Sequence, residues 1–185
     1  MMDKTSNRTL GRDGYSGLHQ WVYNVTQGMR SVVEMGCGTG AYLRHASSPY
    51  KLGIDAFLPY IEEARVTSSN QGIQFVCANM MDYRQHVTKE CEMALFIDSL
   101  EHLSKDDAEV LLQGCKEDFL KIAIFIPIGD HDQEPCDGNE MQRHLSHWDV
   151  DSLLAMGLEV EFHPNYHYTN PPGKQAAAFA VWVRS

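Results

Sequence analysis

A chain of 185 residues is about one domain's worth of polypeptide. Hydrophobic residues make up 43% and charged residues 22%, proportions of a globular protein that argue against wholesale disorder. Fifteen Lys and Arg against 25 Asp and Glu leave a net charge of −10. Such a surface repels phosphate backbones and anionic lipid, and no basic patch offsets it, so nucleic acid and membrane are not expected partners.

Residues 1–13 are polar and aperiodic and are expected to form a flexible tail ahead of a single domain, 14–185. Leu18, Trp21, Val22, Val25 and Met29 fall on the stripe of an amphipathic helix. Residues 31–34 read as a strand running into Gly36-Cys37-Gly38-Thr39-Gly40, followed by a short helix over 41–46 and a second strand over 50–55. Pro59 suits the first turn of a helix reaching Thr67. Residues 73–77 and 93–97 are the third and fourth strands. Ser104 and Asp107 resemble a capping box, after which Ala108, Leu111, Leu112, Cys115 and Phe119 repeat at helical spacing. Residues 120–126 are largely apolar, as in a fifth strand buried on both faces. A long loop spans 127–145, and Ser146 is expected to cap a helix that Gly157 ends. Strands at 158–162 and 176–183 follow, with the chain turning at Asn170-Pro171-Pro172-Gly173. Strict alternation in this hairpin puts His163 and His167 on one face and Tyr166 and Tyr168 on the other.

Strands that alternate with helices imply right-handed βαβ units, a parallel sheet and helices on both faces. The last two strands lack a crossover helix and must be antiparallel. The expected fold is α/β, a Rossmann-like doubly wound sheet of seven strands, mostly parallel with a C-terminal antiparallel hairpin. Ligands in such sheets sit at the carboxyl ends of the strands. The longest apolar runs, 122–128 and 176–183, are too short to span a bilayer, and the first residues lack the apolar core of a signal peptide. The five cysteines, Cys37, Cys77, Cys91, Cys115 and Cys136, are odd in number, widely spaced and free of any C-x-x-C. Reduced thiols in a cytoplasmic protein are the simpler expectation.

The glycine loop after the first strand lets the backbone approach a ligand closely, and the amides at the start of the following turn point towards it. Its glycines are spaced G-x-G-x-G, with Ala41 next. That spacing does not by itself exclude a dinucleotide, whereas a Walker loop is excluded because no Gly-Lys-Ser/Thr follows.

Glu34-x-Gly36-x-Gly38-x-Gly40 resembles the first motif of class I S-adenosylmethionine (SAM)-dependent methyltransferases. Three further loops resemble that family in the same order. Gly53-Ile54-Asp55, with Ala56 after it, resembles the acidic step that holds the ribose hydroxyls. Asp55 lies 19 residues after Gly36, close to the spacing of about 20 expected of a ribose carboxylate. Ala78-Asn79-Met80 is similar to the adenine-binding step, with Asn79 where the family usually has Asp. Asp98-Ser99-Leu100-Glu101-His102-Leu103 resembles a D-x-x-E-H-L turn frequent after the fourth strand. The resemblance implies SAM as cofactor and S-adenosyl-L-homocysteine (SAH) as product. It implies that Glu34 takes the ammonium, that amides of the Gly36, Cys37, Gly38 and Gly40 loop meet the carboxylate, and that Asp98 contacts the cofactor edge. Met80 would pack on adenine.

On the acceptor side, the family comparison places substrates past the fifth strand. His102 is the candidate general base, and His144, with His131, is expected to line the acceptor pocket. Glu101 is expected to support the turn or the next helix N-terminus. His144 and His147 sit three apart, but no acidic or cysteine partner has a compelling position, so no metal is expected. The reading is a methyltransferase for a small-molecule acceptor. Its rivals are a SAM-binding partner or regulatory protein without turnover, and a NAD-binding oxidoreductase.

Overall fold

The computed structural model describes residues 14–135, 138–169 and 173–185. The expected tail, Cys136 and the Asn170-Pro171-Pro172 turn lie outside them. Seven strands form one sheet in the order β3-β2-β1-β4-β5-β7-β6. These are β1 Ser31–Met35, β2 Tyr50–Asp55, β3 Gln74–Cys77, β4 Met93–Ile97, β5 Lys121–Pro127, β6 Glu159–Thr169 and β7 Gly173–Val183. The first five pair in parallel and β7 runs antiparallel to both β5 and β6. The expected α/β architecture, with its terminal antiparallel pair, is the one observed.

Every residue of β1 and β4 is buried, because both strands lie mid-sheet and are covered on both faces. Alternation along β1 sends Val33 and Met35 to one layer and Val32 to the other. The first layer packs on helix α3, Lys105–Asp118, through Ala108, Leu111, Leu112 and Cys115, and on α4, Val150–Ala155, through Leu153. The second packs on α1, Gly14–Val25, through Leu18, Val22 and Val25, and on α2, Leu58–Thr67, through Ile61 and Ala64. Pro59 stands in the first turn of α2, and the Ser104 hydroxyl accepts the Asp107 N–H at 3.2 Å to cap α3, both as expected.

Several local expectations are corrected. The α1 stripe stops at Val25, since the Thr26 hydroxyl bonds back to Val22 O and Gly28 turns the chain at φ +79°. The helix expected over 41–46 is a single 3₁₀ turn, Leu43–His45; Pro49 forbids its continuation and biases Ser48 to extended backbone. Ser146 does not cap α4. Asp149 does, in a reciprocal capping box with Ser152, while the Ser146 hydroxyl accepts the Trp148 indole N–H at 3.1 Å. β6 and β7 each reach 11 residues, beyond the expected 158–162 and 176–183. A register shift between His163 and His167 breaks strict alternation, so His163 and Tyr166 both pack on Phe179. The side chains of His167 and Tyr168 lie outside the described residues.

Candidate functional site

β1, β2, β3 and β4 deliver their carboxyl ends to one rim of the sheet, where a cavity of about 640 Å³ opens. Glu34, Gly36, Cys37, Gly38, Asp55, Ala56, Asn79, Met80, Asp98 and His102, all expected site residues, stand on its wall. Gly40 shapes the loop from behind: its φ is +72°, and a Cβ there would meet the Phe75 ring at 2.7 Å.

The glycine loop is held by its own amides. Gly36 N–H and Cys37 N–H both donate to Ile54 O, at 2.8 and 3.0 Å, and Gly40 N–H donates to Cys37 O. Gly38 N–H donates to Asp55 Oδ2 at 2.9 Å, and Phe57 N–H to Asp55 Oδ1 at 2.8 Å. Four amides expected to face a ligand are therefore already engaged within the protein, and the glycines contribute shape. At Gly36, φ is +74° and a Cβ would lie 2.6 Å from Ser99 Cβ; at Gly38, φ is +50° and nothing stands within 4 Å of a Cβ. The loop thus packs against the turn after β4 on one side and leaves free space on the other.

Glu34 is 1% exposed, and its Oε2 has no hydrogen-bond partner. Burial pushes its carboxyl up to about 8; a backbone hydrogen bond at Leu43 opposes the shift, Asp55 adds to it, and Arg44 opposes it. Burial also drives the Cys37 thiol well up, helped by the Glu34 and Asp55 carboxylates, so Cys37 is a packing residue rather than a nucleophile. Asn79 Oδ1 accepts Met81 N–H at 2.9 Å and caps the following 3₁₀ turn. Asp98 adopts a left-handed conformation, φ +45°, while its N–H is fixed by Phe125 O at 3.0 Å.

The opposite wall comes from a second chain region. Leu103, Asn139, Glu140, Met141, Gln142 and Leu145 line the cavity. The loop carrying five of these is clipped to the turn after β4: Leu145 N–H and Ser146 N–H both donate to Glu101 O, at 2.8 and 3.1 Å. His102 Nδ1 donates to Arg143 O at 3.2 Å and His144 Nδ1 to His131 O at 2.5 Å. A carbonyl only accepts, so each Nδ1 carries the hydrogen and each neutral ring keeps its lone pair on Nε2. His144 is set one layer behind His102, with ring centroids 5.0 Å apart, and is not on the cavity wall. His131 is not on the wall either; its Nε2 bonds to Ile128 O at 2.7 Å.

Glu101 exceeds its expected role as a turn support. It is 2% exposed, its Oε2 has no hydrogen-bond partner, and its Oε1 lies 4.0 Å from His144 Nε2. Tyr42, Tyr60 and Ser99 are wall residues with no sequence signal beyond their nearness to the matched loops.

Residues 32–118 match the family model described as a methyltransferase domain. A comparison with curated protein sequences found no match. Among solved structures, the chain is similar to the small RNA methyltransferase HEN1, at 15% identity and a TM-score of 0.66, over 92% of this chain and 25% of that one. The chain thus spans a quarter of the length of that protein. It is similar also to the methyltransferase domain of bacterial CtHen1-CN, at 18% identity and a TM-score of 0.63, over 91% of this chain and 97% of that one. DhpI in complex with SAM and HEP resembles it at 17% identity and a TM-score of 0.64, over 91% and 86% of the two chains. At these identities the likeness is one of fold; SAM, named in the DhpI complex, is the ligand against which the residues of the cavity are tested.

The residues present fit SAM. Glu34 Oε2, buried on the cavity wall without a partner, is an acceptor matched to an ammonium. Asp55 is held rigidly by two amides and keeps lone pairs for hydroxyl donors.

Proposed function

We propose that the protein methylates a small-molecule acceptor bound between the glycine loop and the loop at 139–145. The observation that carries this reading is the shared cavity, with cofactor-type residues on one wall and Leu103, Met141, Leu145 and His102 on the other. About 640 Å³ lies within the range of small-ligand sites. The net charge of −10 supports a small acceptor over RNA, although HEN1 is named for small RNA.

In this reading Glu34 holds the ammonium, Asp55 the ribose, and Met80 with Ala56 and Asn79 the adenine, while Asp98 borders the cofactor. When bound, SAM supplies a methyl group already activated by the sulfonium charge. The chain's task is then to orient the acceptor and exclude water. His102 presents Nε2 at the acceptor end, and His144 stands behind it. The apolar rim of Met141 and Leu145 receives the acceptor's body. No described helix is long and apolar enough to cross a membrane. A cytoplasmic setting belongs to the same proposal, supported by four free cysteines among the described residues.

The test supplies methyl-labelled SAM to the purified chain together with a low-molecular-mass metabolite extract or with total RNA. Label in the metabolite fraction is the expected outcome. Label in RNA alone would replace the acceptor class. SAH binding with no label in either would favour the partner or regulatory protein.

A further inference from the structure

We infer that Asn79 reads the purine of the cofactor as a hydrogen-bond donor to a ring nitrogen, so that this side chain selects the base without using its exocyclic amino group. Asn79 stands on the cavity wall beside Met80 and Ala56. Its side-chain Oδ1 accepts Met81 N–H at 2.9 Å. Of the two ends of a carboxamide only the oxygen can receive an N–H, so this bond fixes which end is which. The end left for a ligand is the nitrogen, which carries two donors and accepts nothing.

The backbone holds that orientation. Ala78 N–H donates to Asp55 O at 2.9 Å, and Asp82 N–H donates to Asn79 O at 2.9 Å. Turning the carboxamide over would set its nitrogen against Met81 N–H, donor to donor, and would strip the 3₁₀ turn Met80–Gln85 of its cap. The bond from Ala78 also ties this segment to the strand end that carries Asp55, so a base whose ribose is held by Asp55 meets Asn79 next.

The inference rests on the reading of that wall as the adenine side of SAM and deepens it. Adenine offers both polarities at its edges: ring nitrogens accept and the exocyclic amino group donates. An aspartate at position 79 would cap the turn as well and would present a second acceptor, matched to the amino group. Asparagine presents the opposite polarity. Its nitrogen pairs with a ring nitrogen, and against the amino group it would stand donor to donor. Position 79 thus selects a purine by its ring and leaves the exocyclic substituent unread.

The test measures, by calorimetry on the full chain and on Asn79→Asp, the binding of SAH and of an SAH analogue whose purine keeps every ring nitrogen but lacks the exocyclic amino group. Aspartate keeps the cap and removes the donor, so circular dichroism and melting of the ligand-free variant should match wild type. Wild type is expected to bind the two ligands within about 10-fold of each other. Asn79→Asp is expected to weaken both by more than roughly 10-fold, since a hydrogen bond is lost and two acceptors then oppose each other. SAM should weaken in parallel with SAH in the variant; tighter SAM there would assign the change to the added charge and overturn the donor role. Two results would show that the amino group is what the site reads. One is wild type that loses the analogue by more than about 10-fold, and the other is Asn79→Asp that binds SAH as tightly as wild type; either overturns the inference. Wild type that binds neither SAH nor its analogue would instead remove the cofactor reading itself.

Discussion

Glu34 joins a buried position to a charge requirement. A free glutamate titrates near ~4.3, whereas in the fold its carboxyl stands at about 8. Between those values the folded chain holds a proton that the unfolded chain releases. The contribution of Glu34 to the stability of the ligand-free protein is therefore fully present at low pH and is lost as pH rises through its folded value. Calorimetric melting of wild type and Glu34→Gln should show the glutamine form gaining relative to wild type between pH 5 and 8. A constant difference across that range would mean that Glu34 is ionised throughout. At pH 7, SAM should also release a proton from wild type, read from binding heats in buffers of different ionisation enthalpy, and release less from Glu34→Gln.

At the scale of elements, the acceptor wall depends on one tryptophan. Trp148 is 2% exposed, bridges to Gly129 after β5 and lies under Lys105 Nζ at 3.4 Å from its ring centre. Truncation to alanine should cost about 3–5 kcal/mol, as for other buried large side chains, and be visible in denaturant midpoints. A loss under 1 kcal/mol would show that the loop is anchored elsewhere. The rim it supports is apolar and open, with Met141 55% and Leu145 58% exposed. Replacing both with serine should raise KM for the acceptor while leaving SAM affinity unchanged, and equal loss in both would place the rim in the cofactor's half.

For the whole molecule, ligand occupancy should appear as thermal stabilisation. SAH at about 100 times its dissociation constant adds about 2.7 kcal/mol. At about 2–4 °C per kcal/mol for a chain of this size, the melting temperature should rise by about 5–10 °C. NAD at the same concentration should leave it in place; the opposite pattern would restore the dinucleotide reading.

The sheet and the glycine-loop wall of the cavity were legible in the sequence because their signals are local. Apolar runs, the glycine spacing and Asp55 lie within single βα units, and β1 to β4 carry their loops to one rim. The acceptor wall was not, because His144 and Glu101 are 43 residues apart and meet only through an aperiodic loop clipped by Glu101 O. Sequence spacing offered His147 as the nearer partner of His144, and it belongs to a different, exposed cluster. The Ser146 cap failed for a related reason: its hydroxyl serves Trp148, and Asp149 is free to close the box with Ser152.

Asp98 inverts an everyday ranking of substitutions. Alanine ordinarily outperforms glycine in a folded chain by restricting the denatured one, but at φ +45° a Cβ crowds the carbonyl that follows it. Asp98→Gly should therefore melt higher than Asp98→Ala, by about 1 kcal/mol. An aspartate kept in that tight corner trades backbone comfort for a carboxylate at the seam between the two walls.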